Sequence, residues 1–157
     1  MNKKLICLLM FVFSLSLAFT ACSDDDDDND KVDYAKEIAA TYGGTLTIDL
    51  PEIPSVTQDV KLERTAENKV KMVLENFSFA GLDLGTISVA NVPTSKSGSS
   101  IKLEETTNEV KLSIGGQEVK ADVKVSGTVV DKKLDLSISV TKALPTAIPV
   151  TFSGTKK

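Results

Sequence analysis

Beyond Gly44 the chain alternates apolar and polar residues almost without pause, and that rhythm limits its fold more than any other feature. Leu46, Ile48 and Leu50 share one face against Thr45, Thr47 and Asp49, and Val60 and Leu62 oppose Lys61 and Glu63. Val70, Met72 and Leu74 oppose Lys69, Lys71 and Glu75, with Val73 breaking the polar row. Val110, Leu112 and Ile114 follow, then the long run Val119, Ala121, Val123, Val125, Gly127 and Val129. Leu134, Leu136, Ile138 and Val140 come next, and Ile148, Val150 and Phe152 close the chain. Successive strand side chains point to opposite faces, so this period of two predicts antiparallel strands with one buried and one wet face.

The punctuation agrees. Glu67-Asn68, Gly115-Gly116 and Asp131-Lys132 fall between strand pairs at hairpin spacing, and Gly98 interrupts the stretch between Val92 and Ile101. After Leu74 the apolar register slips to Phe77 and Phe79, which predicts a bulge or bend near Asn76; Gly127 is a second candidate for a bend. Eight or nine strands result. An up-and-down barrel and a meander-built sandwich both fit, and the barrel leaves no free edge. A membrane-spanning barrel would need aromatic girdles at both interfaces. Beyond the first thirty residues the aromatics are only Tyr34, Tyr42, Phe77, Phe79 and Phe152, so a soluble, tethered domain is expected.

One helix is expected. Tyr34, Ile38 and Tyr42 follow an i, i+4, i+8 spacing within Lys31 to Tyr42, with Asp33 as cap and Gly43-Gly44 as stop. It reads as a short plug on one end of the domain.

The chain begins differently. Lys3 and Lys4 precede an apolar stretch from Leu5 to Phe19 that closes on Thr20-Ala21-Cys22. That order reads as a secretory leader over residues 1–21, shorter than the ~20 unbroken apolar residues of a spanning helix. It resembles the bacterial lipobox, with Phe19 where leucine is commoner. The resemblance implies that Cys22 carries the lipid and anchors the mature chain. Cys7 leaves with the leader, so the mature chain has no second thiol for a disulfide. Six acids among residues 24–30 make the segment 22–30 an extended, self-repelling tether. A calcium site there would need a turn glycine and spaced ligands that the run lacks. Cys22-Ser23 followed by Asp24 to Asp28 also resembles the surface-export signal of Bacteroidetes lipoproteins, which implies the outer face of the outer membrane.

The domain over 31–157 resembles a known family. Tyr42-Gly43-Gly44-Thr45-Leu46-Thr47-Ile48, Leu74-Glu75-Asn76-Phe77 and Gly85-Thr86-Ile87-Ser88-Val89 are similar to segments of the calycin-like barrel lipoproteins of Bacteroidetes. So are Val125-Ser126-Gly127-Thr128-Val129 and the terminal stretch from Ile148 to Lys156. The resemblance implies an all-β, antiparallel, up-and-down lipocalin-like barrel of about eight strands with a short N-terminal helix. It carries over no catalytic residue and no cofactor.

Composition narrows the chemistry. The net charge of −4 lies in the acidic run; from Lys31 onward sixteen basic residues balance sixteen acidic ones, so no field steers nucleic acid toward the domain. The absence of histidine excludes Ser-His-Asp and Cys-His catalysis and histidine-bound zinc or haem. Two-carboxylate glycosidase chemistry leaves Asp83, Glu104 and Glu105 as candidates, yet neighbours on a regular strand face opposite ways. Sugar platforms rely on exposed aromatic rings, and tryptophan is absent. Two non-enzymatic readings remain. One is a small apolar ligand held in a cavity lined by Met72, Phe77, Phe79 and Phe152, against which those four residues simply fill the barrel. The other is an accessory subunit of a surface complex.

Overall fold

Eight of the alternating runs become eight strands: β1 (Ala40–Ile48), β2 (Val56–Ala66), β3 (Lys69–Phe79), β4 (Leu82–Ser97), β5 (Ser100–Ile114), β6 (Gln117–Val130), β7 (Lys133–Thr141) and β8 (Ile148–Lys156). Each pairs antiparallel with its sequence neighbour, and β1 also pairs with β8 from Tyr42↔Lys156 to Ile48↔Val150. That last ladder closes the sheet into an up-and-down barrel rather than a sandwich. The computed structural model describes residues 32–157, apart from residues 80 and 144 and the side chain of Phe79. The leader, Cys22 and the acidic run lie outside the described residues.

The apolar face of the alternation points inward and fills the barrel. Leu46, Leu62, Met72, Leu103, Leu134 and Phe152 are all buried in one continuous core. Small barrels hold their interiors this way, with side chains rather than solvent. The outer face carries the charges, as in the Lys61–Glu63 pair at 2.7 Å and the Lys120–Glu109 pair at 3.0 Å.

The helix is shorter than the sequence predicts. Helix α1 covers only Tyr34–Ile38, and Ala39 is already extended with ψ of 107°. The ladder to β2 claims the chain from Ala40 onward, so Tyr42, Gly43 and Gly44 belong to β1 and stop no helix. The i, i+4 relation of Ile38 and Tyr42 survives in another form, because the Tyr42 hydroxyl donates to the Ile38 carbonyl at 2.9 Å. Asp33 caps the helix, accepting from the amides of Lys36 at 3.4 Å and Asn68 at 3.0 Å and pairing with Arg64. Ala35 and Ile38 are buried in the core, so α1 plugs the end of the barrel that carries the β2–β3, β4–β5 and β6–β7 turns.

Four irregularities re-aim side chains around the wall. Asn76, at φ 51°, inserts an extra residue between Leu74↔Ile87 and Phe77↔Gly85. Strict alternation would have turned Asn76 inward and Phe77 to solvent; the bulge buries Phe77 instead. Gly85 at φ 77° and Asn91 at φ 57° act likewise on β4, so Leu84, Ile87, Val89 and Val92 all reach the core. On β5 the register jumps between Leu103↔Gly127 and Thr106↔Val125, which places the extra residue at Glu104-Glu105. Gly127 itself produces no bend toward β7, where the ladder runs unbroken through Gly127↔Leu136.

Two of these irregularities, with Pro93, meet between β4 and β5. Their ladder spans only Ser97↔Ser100 to Thr94↔Leu103. Beyond it come Pro93, which has no amide hydrogen, the Asn91 bulge and the Glu104-Glu105 bulge. The Asn108 side-chain amide bridges the two strands further up, donating to the Ala90 carbonyl at 2.9 Å. Thr94, where the ladder stops, buries a hydroxyl with no hydrogen-bond partner among the described residues.

Candidate functional site

The end of the barrel opposite α1 is built from different residues than the plugged end. The turns of the plugged end are Glu67-Asn68, Gly98-Ser99 and Asp131-Lys132, with Val130 exposed beside the last. The open end carries Leu50-Pro51 and Ile53-Pro54 in the β1–β2 loop, Leu82 at the start of β4, and Ala143 after β7. Leu50 and Leu82 are 36% and 41% exposed, comparable with Val130 (40%) and Val32 (52%) at the plugged end, so what sets this end apart is the cavity beneath it rather than exposure.

Below this rim lies an apolar cavity of about 80 Å³. Its walls come from strand ends: Ile48 of β1, Phe77 of β3, Leu84 of β4, Leu112 of β5, Val140 of β7 and Val150 of β8. Ile114, Ile148, Leu82 and Ala143 complete the lining, and no polar group among the described residues reaches it. The bulges at Asn76 and Gly85 deliver Phe77 and Leu84 to this site.

Of the four residues proposed from sequence to line a cavity, Phe77 is on this wall. Met72 and Phe152 lie in the packed barrel interior instead. The Phe152 ring occupies space above Gly154, where no side chain competes with it. The side chain of Phe79 lies outside the described ones. Sequence reasoning missed the aliphatic members of the pocket, because nothing in an alternating strand marks which apolar residue sits at the end of the barrel.

The three candidate carboxylates are separately engaged. Asp83 accepts from the Gly85 amide at 2.9 Å and so braces the β4 bulge. Glu104 accepts from the Ser95 hydroxyl at 2.6 Å and pairs with Lys102 at 3.3 Å; those two contacts hold its carboxyl below the usual range. Glu105 pairs with Lys124 at 3.2 Å. The expectation that Glu104 and Glu105 face opposite ways rests on a regular strand, and β5 is irregular there. Both project from the outer wall toward different lysines. An ion-paired, low-pKa glutamate makes a poor proton donor. Among the described residues no group of three or more acids or cysteines is placed to hold a metal ion.

Comparison with known proteins agrees with this geometry. Residues 38–155 match the family model of the calycin-like beta-barrel domain. The fold is similar to the crystal structure of a candidate outer membrane protein from Bacteroides fragilis NCTC 9343, with a TM-score of 0.60 at 18% identity. The alignment covers 79% of this chain and 53% of that one, so this chain spans about half the length of its structural neighbour. No curated protein matches it.

Proposed function

We propose, from the premise that this chain belongs to the calycin-like beta-barrel domain family, that it is a non-catalytic binding module, lipid-anchored at the outer membrane through Cys22, which holds the apolar end of a small ligand in its open mouth. The carrying observation is the apolar cavity at the end of the barrel that no helix among the described residues covers. Its size sets the kind of binding. Ligand pockets commonly run to ~300–1,000 Å³, so about 80 Å³ cannot enclose a whole molecule. At ~30 Å³ per water-sized group it has room for about three such groups. Three methylenes at ~0.8 kcal/mol each supply roughly 2–2.5 kcal/mol, well short of the ~8 kcal/mol of a micromolar complex. The remaining contact has to come from the rim, where Leu50 and Leu82 stand exposed. A polar headgroup buried among these walls would lose its hydrogen bonds, so it stays outside.

The outer membrane assignment draws on the lipobox-like leader, the acidic run after Cys22, and the outer-membrane description of the Bacteroides fragilis neighbour. The anchor reading is favoured over a spanning barrel because the charged residues face outward, the inverse of a wall that meets lipid. A Cys22→Ser variant is expected to shift from the membrane fraction to the soluble fraction.

Native mass spectrometry of residues 23–157 purified from a bacterial host tests the binding site. The expected result is an added mass that organic extraction removes and that an Ala143→Phe variant, whose ring fills the mouth, fails to retain. A bare mass for the wild-type barrel would shift weight to a second reading, in which Leu50 and Leu82 form the contact patch for a partner in a surface complex.

A further inference from the structure

The wall of the barrel is least tightly joined along the seam between β4 and β5. Among the described residues no ladder pair links these strands above Thr94↔Leu103. The β5–β6 hairpin shows which groups this leaves over. Gly115 and Gly116, at φ 59° and 82°, make a two-residue turn of the I′ kind, so Ile114 and Gln117 exchange hydrogen bonds across it. Backbone groups along a strand then point to one neighbour and the other in turn. Leu112, Val110, Asn108 and Thr106 therefore bond to β6, while the amides and carbonyls of Ser113, Lys111, Glu109 and Thr107 face β4. No register shift interrupts the ladder from Thr106↔Val125 to Ile114↔Gln117, so this edge is straight. At ~3.4 Å per residue it is roughly 27 Å long. The opposite wall presents the Ala90 carbonyl, which the Asn108 side chain reaches at 2.9 Å.

Two further observations mark the seam as incomplete. Thr94 pairs with Leu103 and faces the core beside it. Thr94 is 7% exposed, yet its buried hydroxyl has no hydrogen-bond partner among the described residues. It lies at the foot of the seam. Thr106 and Asn108 also face inward, opposite Val125 and Val123. Those two valines are 0% exposed, whereas Thr106 and Asn108 are half-buried, so their exposure comes from the β4 side. The barrel interior is thus polar and reachable along this line. Asn108 also shows which chemistry the seam accepts. Its side chain is a primary amide, and it donates to a strand carbonyl as a peptide N–H would.

From these edges we infer that the seam is a docking slot for an extended, uncharged segment of a partner protein, paired as an added strand along β5. An extended peptide carries the same alternation of N–H and C=O as the edge it joins. A hydrocarbon chain would leave the edge groups without partners. Charge argues for a neutral guest. Residues 85–94 contain no charged side chain, and Glu105, Glu109 and Lys111 are paired with Lys124, Lys120 and Glu118 on the far side, at β6. Small β-branched residues suit the guest, because its inward side chains meet Val110 and Leu112 near the mouth. Entry needs β4 and β5 to part by about one strand spacing, ~4.8 Å. The ladder from Ser97↔Ser100 to Thr94↔Leu103 stays as the hinge, and the Asn108–Ala90 hydrogen bond is what the guest displaces. Bulges and prolines commonly guard strand edges. Here Asn91, Pro93 and Glu104-Glu105 guard the foot of the seam and leave Thr106 to Ile114 unguarded.

The test is amide hydrogen exchange, read by NMR on the full chain in a zwitterionic detergent. The probe is a capped heptapeptide of alternating threonine and valine. At millimolar peptide, exchange at Thr107, Glu109 and Lys111 is expected to slow by about threefold or more. The same peptide N-methylated at alternate residues has lost the donors of one hydrogen-bonding edge and is expected to give no protection. Asn108→Ala removes the hydrogen bond that the guest must displace, so it is expected to bind the peptide about three- to tenfold more tightly. Unchanged exchange at the three amides, protection centred on the β1–β8 closure, equal protection by the N-methylated peptide, or weaker binding by Asn108→Ala each overturns the assignment.

Discussion

Substituting Gly154 by alanine tests whether the β1–β8 closure depends on the missing side chain. Gly154 pairs with Gly44 across that closure and with Leu134 on the other side. Its φ lies outside the left-handed region, so backbone conformation does not require glycine. Space does. An added Cβ would sit 2.5 Å from Cζ and 2.8 Å from Cε1 of Phe152, and 2.9 Å from the Gly43 carbonyl oxygen. The Phe152 ring is 2% exposed and has no solvent to swing into. Overpacking of this kind costs about 1–3 kcal/mol, offset by roughly 0.4–1 kcal/mol from the stiffer unfolded chain, leaving a net loss of about 1–2 kcal/mol. Gly44→Ala is the harsher change, because its Cβ would strike main-chain atoms of Ser153 and Gly154 that cannot rotate away. It is expected to cost about 3 kcal/mol or more. With no tryptophan, urea unfolding followed by far-ultraviolet circular dichroism is the assay. The discriminating variant is Phe152→Leu. Combined with Gly154→Ala it should recover about 1 kcal/mol relative to the sum of the single changes; combined with Gly44→Ala it should recover nothing. If Gly154→Ala proves neutral or stabilising, or if Phe152→Leu rescues both glycines equally, the steric reasoning is wrong.

Tyr42→Phe is expected to cost about 1–3 kcal/mol, because the Ile38 carbonyl is left buried without its donor. Burial raises the Tyr42 pKa above its ordinary 10.0, so the folded state resists ionisation. Its contribution is complete below about 10 and is lost as pH climbs through the raised value, a slope that the phenylalanine variant should lack. Asp33 behaves oppositely. The Asn68 amide first, then Arg64 and the Lys36 amide, hold its pKa below 3.8. Its stabilisation is present above that value and disappears as pH falls through the depressed one. Asp33→Asn should therefore lower the melting temperature at neutral pH, and the gap should close in strong acid. Hydrogen exchange should run faster at Ala90, Glu105 and Thr107, beside the interrupted β4–β5 ladder, than at Leu136 and Ile138, between two unbroken ones. Equal protection would refute the reading of that seam as weak.

Much of the barrel is visible in the bare sequence because burial imposes a period of two. The runs Val119 to Val129 and Leu134 to Val140 translate residue by residue into β6 and β7. The turn signals work for the same local reason, with Asn68 and Asp131 adopting positive φ where hairpins demand it. Asn76 was readable as a bulge from the slip to Phe77. Asn91 and Glu104-Glu105 were not, since the alternation around them has no long apolar run to expose a shift. The helix was overread because Ile38 and Tyr42 face the core on both sides of a helix-to-strand change, and only the ladder to β2 reveals where that change occurs. The mouth stayed hidden because it joins residues from distant strands.

The β1–β8 ladder also bears on how the chain acquires its shape. The strand that completes β1 is the last of the eight barrel strands to be made, and the Lys157 amide donates to the Thr41 carbonyl at 3.0 Å. Seven strands emerging in order can form hairpins with their neighbours, yet the growing sheet keeps two naked edges until Lys156 arrives. Closure is thus the most non-local event in folding and the natural candidate for the slow step. A chain stalled before that point would expose sticky strand edges to its neighbours. Deleting β8 would yield an open, aggregation-prone sheet in place of a smaller barrel.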